Sequence, residues 1–173
     1  MSPSPALSAV PRTLIIMGVS GSGKSLIGSM LAQRLNGVFE DADDFHSVAN
    51  KAKMSAGIPL MDEDRWPWYA TLRARIETMR EETPVYVLAC SALKHIYRQR
   101  LREGDAGGET AFVLLHGSRE VIHERLAARK GHYMPASLLD SQMAILEETP
   151  DLLTISLEQT PDAIVAEILA KLG

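Results

Sequence analysis

An α/β domain built on a five-stranded parallel sheet is what this sequence predicts, and three observations carry the prediction. Five short apolar runs, Thr13–Met17, Gly37–Phe39, Pro84–Ala89, Ala111–Leu115 and Leu152–Ile155, alternate with segments of helical spacing. The runs are almost continuously apolar, as in Val85-Tyr86-Val87-Leu88-Ala89 and Phe112-Val113-Leu114-Leu115, which suits parallel strands covered on both faces. The first run leads into Gly18-Val19-Ser20-Gly21-Ser22-Gly23-Lys24-Ser25, which fits G-x-x-x-x-G-K-[ST] at every fixed position and opens a helix.

The elements follow in order. Residues 1–11, with Pro3, Pro5, Pro11 and three serines, read as a flexible leader, and residues 12–173 as one domain without internal repeats. Ser25 to Leu35 is the first helix, with Leu26 and Met30, and Ile27 and Leu31, as i, i+4 pairs on adjoining apolar ridges. Asn36-Gly37 closes it. Helices are expected next over Asp62 to Arg80, Lys94 to Leu101, Arg119 to Ala128, Ala136 to Glu147 and Pro161 to Leu172. The glycine-rich connection from Glu103 to Glu109 lacks a Lys and a following helix, so it reads as a surface loop rather than a second phosphate loop.

Composition narrows the class. The 173 residues are 46% hydrophobic and 23% charged, enough for one full core. Lys and Arg number 18 against 22 Asp and Glu, a net charge of −4, so the overall charge favours neither nucleic acid nor an anionic membrane as partner. An anionic substrate must then be held by local cations. Cys90 is the single cysteine, which suits a reducing compartment. No apolar run approaches the roughly 20 residues that span a bilayer, and Met1 to Val10 has no secretory pattern, so the cytoplasm is the expected location.

The octapeptide carries the chemistry. Its glycines let the backbone curl until several N–H groups face the β- and γ-phosphates of a nucleoside triphosphate, at the positive end of the next helix. Lys24 adds a mobile cation and Ser25 a hydroxyl for Mg²⁺, so the expected reaction is phosphoryl transfer. Of the other strands only the second runs into acidic residues: Val38-Phe39 is followed by Glu40-Asp41-Ala42-Asp43-Asp44, at the strand end where ligands bind in an open α/β sheet. In an extended segment Asp41 and Asp43 would point to one side, one serving the metal and the other the acceptor hydroxyl. A solvated loop is the plainer reading of such a run; its place after a strand argues against it.

Candidate cations fall in two groups. Arg125 and Arg129, four residues apart, lead into Lys130-Gly131-His132-Tyr133-Met134-Pro135, a lid-like segment between two helices that could bring guanidinium groups to the migrating phosphoryl. Arg119 lies further back, where offsetting a helix dipole is the simpler role. Lys51, Lys53, Arg65, Lys94, Arg98 and Arg100 remain for an anionic acceptor, with Arg65 and Lys94 favoured. His46 is a candidate hydrogen-bonding group for the substrate, and Trp66 and Trp68 are expected mainly to pack.

Taken together, these residues resemble the gluconate kinases of the shikimate-kinase-like branch of P-loop kinases. The resemblance rests on Met17 to Ser25, Asp41-Ala42-Asp43-Asp44-Phe45-His46, Asn50 to Met54, Gly57 to Leu60, Asp62 to Trp68, Cys90-Ser91-Ala92-Leu93-Lys94 and His132 to Met134. It implies a three-layer P-loop NTPase fold with a mobile lid and an acceptor region between the second and third strands. It also implies transfer of the ATP γ-phosphate to the 6-hydroxyl of D-gluconate, and a possible homodimer.

On that basis Gly18 to Ser25 would hold ATP, Ser25 and Asp41 would hold Mg²⁺, and Asp43 would orient the acceptor hydroxyl. Lys24, Arg125 and Arg129 would stabilise the moving phosphoryl, and His46, Lys53, Arg65 and Lys94 would hold the sugar acid. The rival readings are a kinase on the same scaffold for shikimate or a nucleoside monophosphate, and a nucleotide-binding switch. The switch lacks its guanine motif, because Asn50-Lys51 is followed by Ala52-Lys53 rather than x-Asp.

Overall fold

The computed structural model describes residues 10–105, 107–128 and 136–173. Arg129 and the expected lid from Lys130 to Pro135 lie outside the described residues, as do residues 1–9 of the expected leader. Val10, assigned to that leader, is partly buried against the core.

All five expected strands are present: β1 Thr13–Met17, β2 Val38–Asp41, β3 Tyr86–Ala89, β4 Thr110–His116 and β5 Leu153–Ser156. They pair in the order β2-β3-β1-β4-β5, every neighbour parallel. The chain steps from β1 to the β2 edge, returns through β3, then crosses β1 to β4. The order therefore reverses around β1, and a crevice opens at the carboxyl ends of β1 and β3.

The helices are α1 Lys24–Arg34, α2 Val48–Ser55, α3 Asp62–Glu82, α4 His95–Leu101, α5 Arg119–Ala128, α6 Ala136–Ile145 and α7 Pro161–Leu172. Alternation along the strands sorts them into layers. Leu14 and Ile16 of β1 join Ile27, Leu31, Ile122, Leu139 and Ile164 in one cluster, while Ile15 and Met17 join Trp68, Tyr69, Leu72, Ile76 and Tyr97 in the other. Thus α1 and α5–α7 cover one face, and α3 and α4 the other. The result is the three-layer α/β architecture expected.

Two local structures differ from the sequence reading. The acidic run is not extended throughout: β2 continues through Glu40 and Asp41, and Ala42–Phe45 then form a 3₁₀ turn capped by Asp41, whose side chain accepts from Asp43 N–H. Asp41 and Asp43 are therefore related by a cap and not by strand alternation. The second difference is α2, which was not anticipated. Ser47 caps it, accepting from Asn50 N–H at 3.1 Å, but only Asn50 among its residues is buried, so no apolar stripe marks it.

The end of α1 shows why Asn36-Gly37 stands there. Asn36 takes the left-handed conformation at φ 53°, Gly37 N–H reaches back to the Ala32 carbonyl at 2.8 Å, and Asn36 N–H reaches the Gln33 carbonyl. This is the double closure of a Schellman turn, with Asn supplying the positive φ. A Cβ on Gly37 would stand 2.3 Å from the Val85 carbonyl oxygen, so the glycine lets β2 enter beside β3.

Candidate active site

The phosphate loop joins β1 to α1 and is braced from within. Lys24 Nζ donates to the Gly18 and Val19 carbonyls at 3.0 and 3.1 Å, and the buried Ser22 hydroxyl donates to Val19 O at 2.7 Å. Gly23, at φ 93°, starts α1 with no side-chain cap, and no acidic residue occupies the first turn. The first amides of the helix are thereby kept for an anion.

Helix α5 lies over this loop. Gly21, at φ 84°, would place a Cβ 2.7 Å from Leu126 Cγ, so only a glycine permits the approach. Arg125 Nη1 lies 3.9 Å from where a Cβ on Gly23 would stand, and its Nη2 donates to the Leu157 carbonyl at 2.6 Å. One expected arginine therefore stands at the phosphate loop. Arg119 pairs instead with Asp140, joining α5 to α6.

The acidic turn meets the loop directly. Ser25 Oγ donates to Asp41 Oδ2 at 2.6 Å, and Asp41 Oδ1 accepts from Asp43 N–H at 2.9 Å, so one carboxylate links the Mg²⁺-type hydroxyl to the backbone of Asp43. Among the described residues no three His, Cys, Asp or Glu side chains converge into a ready-made metal cage. One hydroxyl and one carboxylate suit Mg²⁺, which takes its remaining ligands from water and phosphate. The Asp43 carboxylate keeps its tip 74% exposed. The protein wall around it, the charge of Asp41 and a smaller push from Asp44 raise its pKa, against the pull of Lys24.

Glu40 leaves the cleft. It takes both nitrogens of Arg75 at 2.8 and 3.0 Å and the Tyr86 hydroxyl at 2.8 Å, and the hydrogen bond from Arg75 holds its pKa below the ordinary value. Of the four carboxylates in the run, Glu40 is thus taken up by Arg75 and Tyr86.

His46 was expected at the substrate; its side chain is instead 2% exposed. It stacks on Trp68 with ring centroids 3.8 Å apart, and Trp68 Nε1 donates to the Ala42 carbonyl at 2.8 Å, fixing the turn that carries Asp43. Asn50 Nδ2 donates to His46 Nδ1 at 3.2 Å, so the neutral ring carries its proton on Nε2, which faces Asp43 Oδ1 at 3.8 Å. Burial first, then the charges of Arg65 and Lys51, push the His46 pKa down to about 4.

That shift predicts a pH-dependent stability. An unfolded histidine titrates near 6.5, so between about 6.5 and 4 the unfolded chain binds a proton that the native one refuses, and stability falls as pH drops across that window. His46→Gln loses the ring stack but also this penalty. The stability gap between wild type and variant, measured by urea unfolding, is expected to narrow from pH 7 to pH 4. A gap independent of pH would refute it.

The acceptor-side cations divide. Arg65 Nη1 donates to the Tyr97 hydroxyl at 2.8 Å and lies 3.5 Å from Asp62 Oδ1, while Lys94 Nζ lies 3.6 Å from the same oxygen. Both sit over the Tyr97 ring, at 5.1 and 5.5 Å. The Tyr97 hydroxyl also donates to Asp62, which lowers the Asp62 pKa. Lys53 is elsewhere: it grips both oxygens of Asp64 at 2.9 Å and ties α2 to α3. Arg98 is fully buried on the Ala92, Leu93 and Glu147 carbonyls, and Arg100 lies over Trp66 at 4.9 Å.

The sequence reading overlooked Asp62, Tyr97, Asn50 and Gln142. Gln142 Oε1 accepts from Ser20 N–H at 2.8 Å, joining α6 to the phosphate loop. Gln142 and Tyr97 act across separate elements; local signals existed for the others, Ser47 three residues before Asn50 as an N-cap pattern and Asp62 three residues before Arg65 on one helix.

Comparison with known proteins shows the family of the chain. Residues 14–149 match the family described as an AAA domain. A probable gluconokinase of Xenopus tropicalis is 45% identical over 174 residues, covering 90% of this chain and 90% of that protein. The chain belongs to the gluconokinase family. The crystal structure of a gluconokinase from Sinorhizobium meliloti 1021 superposes with a TM-score of 0.85 at 43% identity, over 94% of this chain and 92% of that one. Shikimate kinase from Aquifex aeolicus, 21% identical, aligns with a TM-score of 0.59 over 92% and 95%, a likeness of fold alone. Gluconokinases and shikimate kinase thus share the layered sheet, and the sequence identity lies with the gluconokinases.

Proposed function

We propose that this protein transfers the γ-phosphoryl group of ATP to the 6-hydroxyl of D-gluconate, giving 6-phospho-D-gluconate and ADP. The observation that carries the reading is the chain Ser25–Asp41–Asp43, which brings the phosphate cradle and the acidic turn into one cleft. Residues 12–173 act as one kinase domain. No helix among the described residues is long and apolar enough to cross a membrane, and a cytoplasmic location is part of the proposal.

The amides from Gly21 to Ser25 hold the triphosphate, and Lys24 meets its β- and γ-oxygens. Ser25 and Asp41 would hold Mg²⁺, which when bound offsets charge on those oxygens. Asp43 orients the 6-hydroxyl of gluconate and accepts its proton as the new O–P bond forms and the bond to the β-phosphate oxygen breaks. Because that transition state is loose, positioning counts for more than basicity. His46 acts from behind Asp43, and Arg125 with Arg129 stabilises the moving phosphoryl. Arg65 and Lys94 hold the sugar-acid carboxylate, with Asp62 and Tyr97 gathering the two cations at one place. Lys53 contributes by fixing α2 to α3.

A panel of acceptors tests the reading. ADP release and formation of phosphogluconate are expected with gluconate and Mg²⁺, and neither with shikimate, with a nucleoside monophosphate or after chelation of the metal. Preference for another acceptor, or hydrolysis indifferent to any acceptor, would overturn it.

A further inference from the structure

The outer corner of the phosphate loop is held by one side chain from a distant helix. Gln142 Oε1 accepts from Ser20 N–H at 2.8 Å, and Gln142 Nε2 reaches Ser20 Oγ at 3.3 Å. A backbone N–H can only donate, so the pairing fixes which end of the amide faces which group. The helix that presents it is anchored: Leu139 is fully buried, and Met143 and Ile145 pack against the core.

Ser20 lies between Gly18 at φ 145° and Gly21 at φ 84°. The Val19–Ser20 peptide turns about ψ of Val19 and φ of Ser20, and Gln142 holds its N–H end. A trans peptide is planar, with its N–H and C=O pointing opposite ways. Holding Ser20 N–H on Gln142 therefore turns the Val19 carbonyl to the other side of the plane. There it accepts from Lys24 Nζ at 3.1 Å, from Ser22 Oγ at 2.7 Å and from Ser22 N–H at 3.3 Å. The place of the Lys24 ammonium is linked to Gln142 through one rigid plane.

We infer that Gln142 is a positioning residue for Lys24, acting through the Val19–Ser20 peptide. The inference rests on reading Gly18–Ser25 as the ATP cradle and names a residue of another element that governs it. Without Gln142 the N–H end of the plane loses its partner, the Val19 carbonyl is held only from the side of Ser22 and Lys24 and turns more widely, and the ammonium is presented to the phosphates less often.

A double-mutant cycle on ATP affinity, titrated without any acceptor, tests this. Gln142→Ala is expected to weaken ATP binding about fivefold, the scale of one hydrogen bond, and to change nothing further in a Lys24→Met background. Gln142→Leu, close to glutamine in volume, gives the same loss, with melting temperature unchanged in both variants. Gluconate-dependent kcat falls about tenfold while KM for gluconate holds within about twofold. Equal losses in both backgrounds would mean that Gln142 acts independently of Lys24, and unchanged ATP affinity would mean that it acts on nothing; either result overturns the inference. Since the cycle needs no acceptor, a wild type that shows this coupling yet phosphorylates no gluconate sinks the functional reading and leaves the inference standing.

Discussion

Asp43→Asn is expected to lower gluconate-dependent ADP release about 10³-fold, the usual order for removing a positioned proton acceptor. Asparagine keeps the shape but has neither the charge that aligns the hydroxyl nor a site for its proton. Fold and nucleotide binding are expected to survive, because the turn is held by Asp43 N–H on Asp41 and by Trp68 on Ala42, neither of which uses the Asp43 carboxylate. The side chain is 74% exposed, and its charge is crowded by Asp41 and Asp44, so neutralising it relieves repulsion rather than emptying the core. The assay is coupled ADP release at saturating gluconate, beside a melting curve and an ATP titration. Turnover within about tenfold of wild type would remove Asp43 from the mechanism.

What the sequence made legible has a common physical basis. The phosphate loop needs particular residue types at fixed spacing, since positive φ angles at Gly18, Gly21 and Gly23 admit few alternatives, so eight letters locate β1, the cradle and α1 together. The inner strands β1 and β3 are buried throughout, and their unbroken apolar runs place them within a few residues. Helix α7 runs from Pro161 to Leu172 as expected, and proline at its start, a Thr160 cap and a buried row of Ile164, Val165 and Ile168 all agree on those bounds. Asp41 stood out because the other candidate strand ends run into Ser91 or Gly117.

What stayed hidden depends on contacts between elements. Helix α2 has Val48 87% exposed and a polar residue, Asn50, as its buried one, so the amphipathic rule has nothing to detect. The 3₁₀ turn was read as extended because alternation and capping give the same Asp-x-Asp pattern, and only Asp41 accepting from Asp43 N–H separates them. His46 was placed at the substrate on its chemistry alone. Its burial follows from Trp68 on α3 and Asn50 on α2, a pocket that no single segment announces. Arg65 and Lys94 are legible as cations, and Asp62 stands three residues before Arg65 on the same helix; that Tyr97 and Lys94 join them follows only from α3 packing on α4.

Lys24→Ala is the second change with a large expected effect, about 10²-fold or more in gluconate-dependent kcat, together with weaker ATP binding. The ammonium is fixed by the Gly18 and Val19 carbonyls at 3.0 and 3.1 Å, so it lies ready at the cradle before nucleotide arrives and little reorganisation accompanies its use. Alanine leaves those two carbonyl dipoles facing the cradle with the cation gone, which turns an attractive site for phosphate into a partly repulsive one. Ground-state binding and transition-state stabilisation should both suffer, and kcat the more, since charge on the bridging β-oxygen builds only as its bond to phosphorus breaks. Lys24→Arg is not expected to rescue, because a planar guanidinium cannot sit as a point charge between two carbonyls spaced for an ammonium. Single-turnover rates with ATP titration separate the two losses. If kcat is untouched while only ATP affinity falls, Lys24 serves binding alone, and the assignment of a role at the transferring phosphate is wrong.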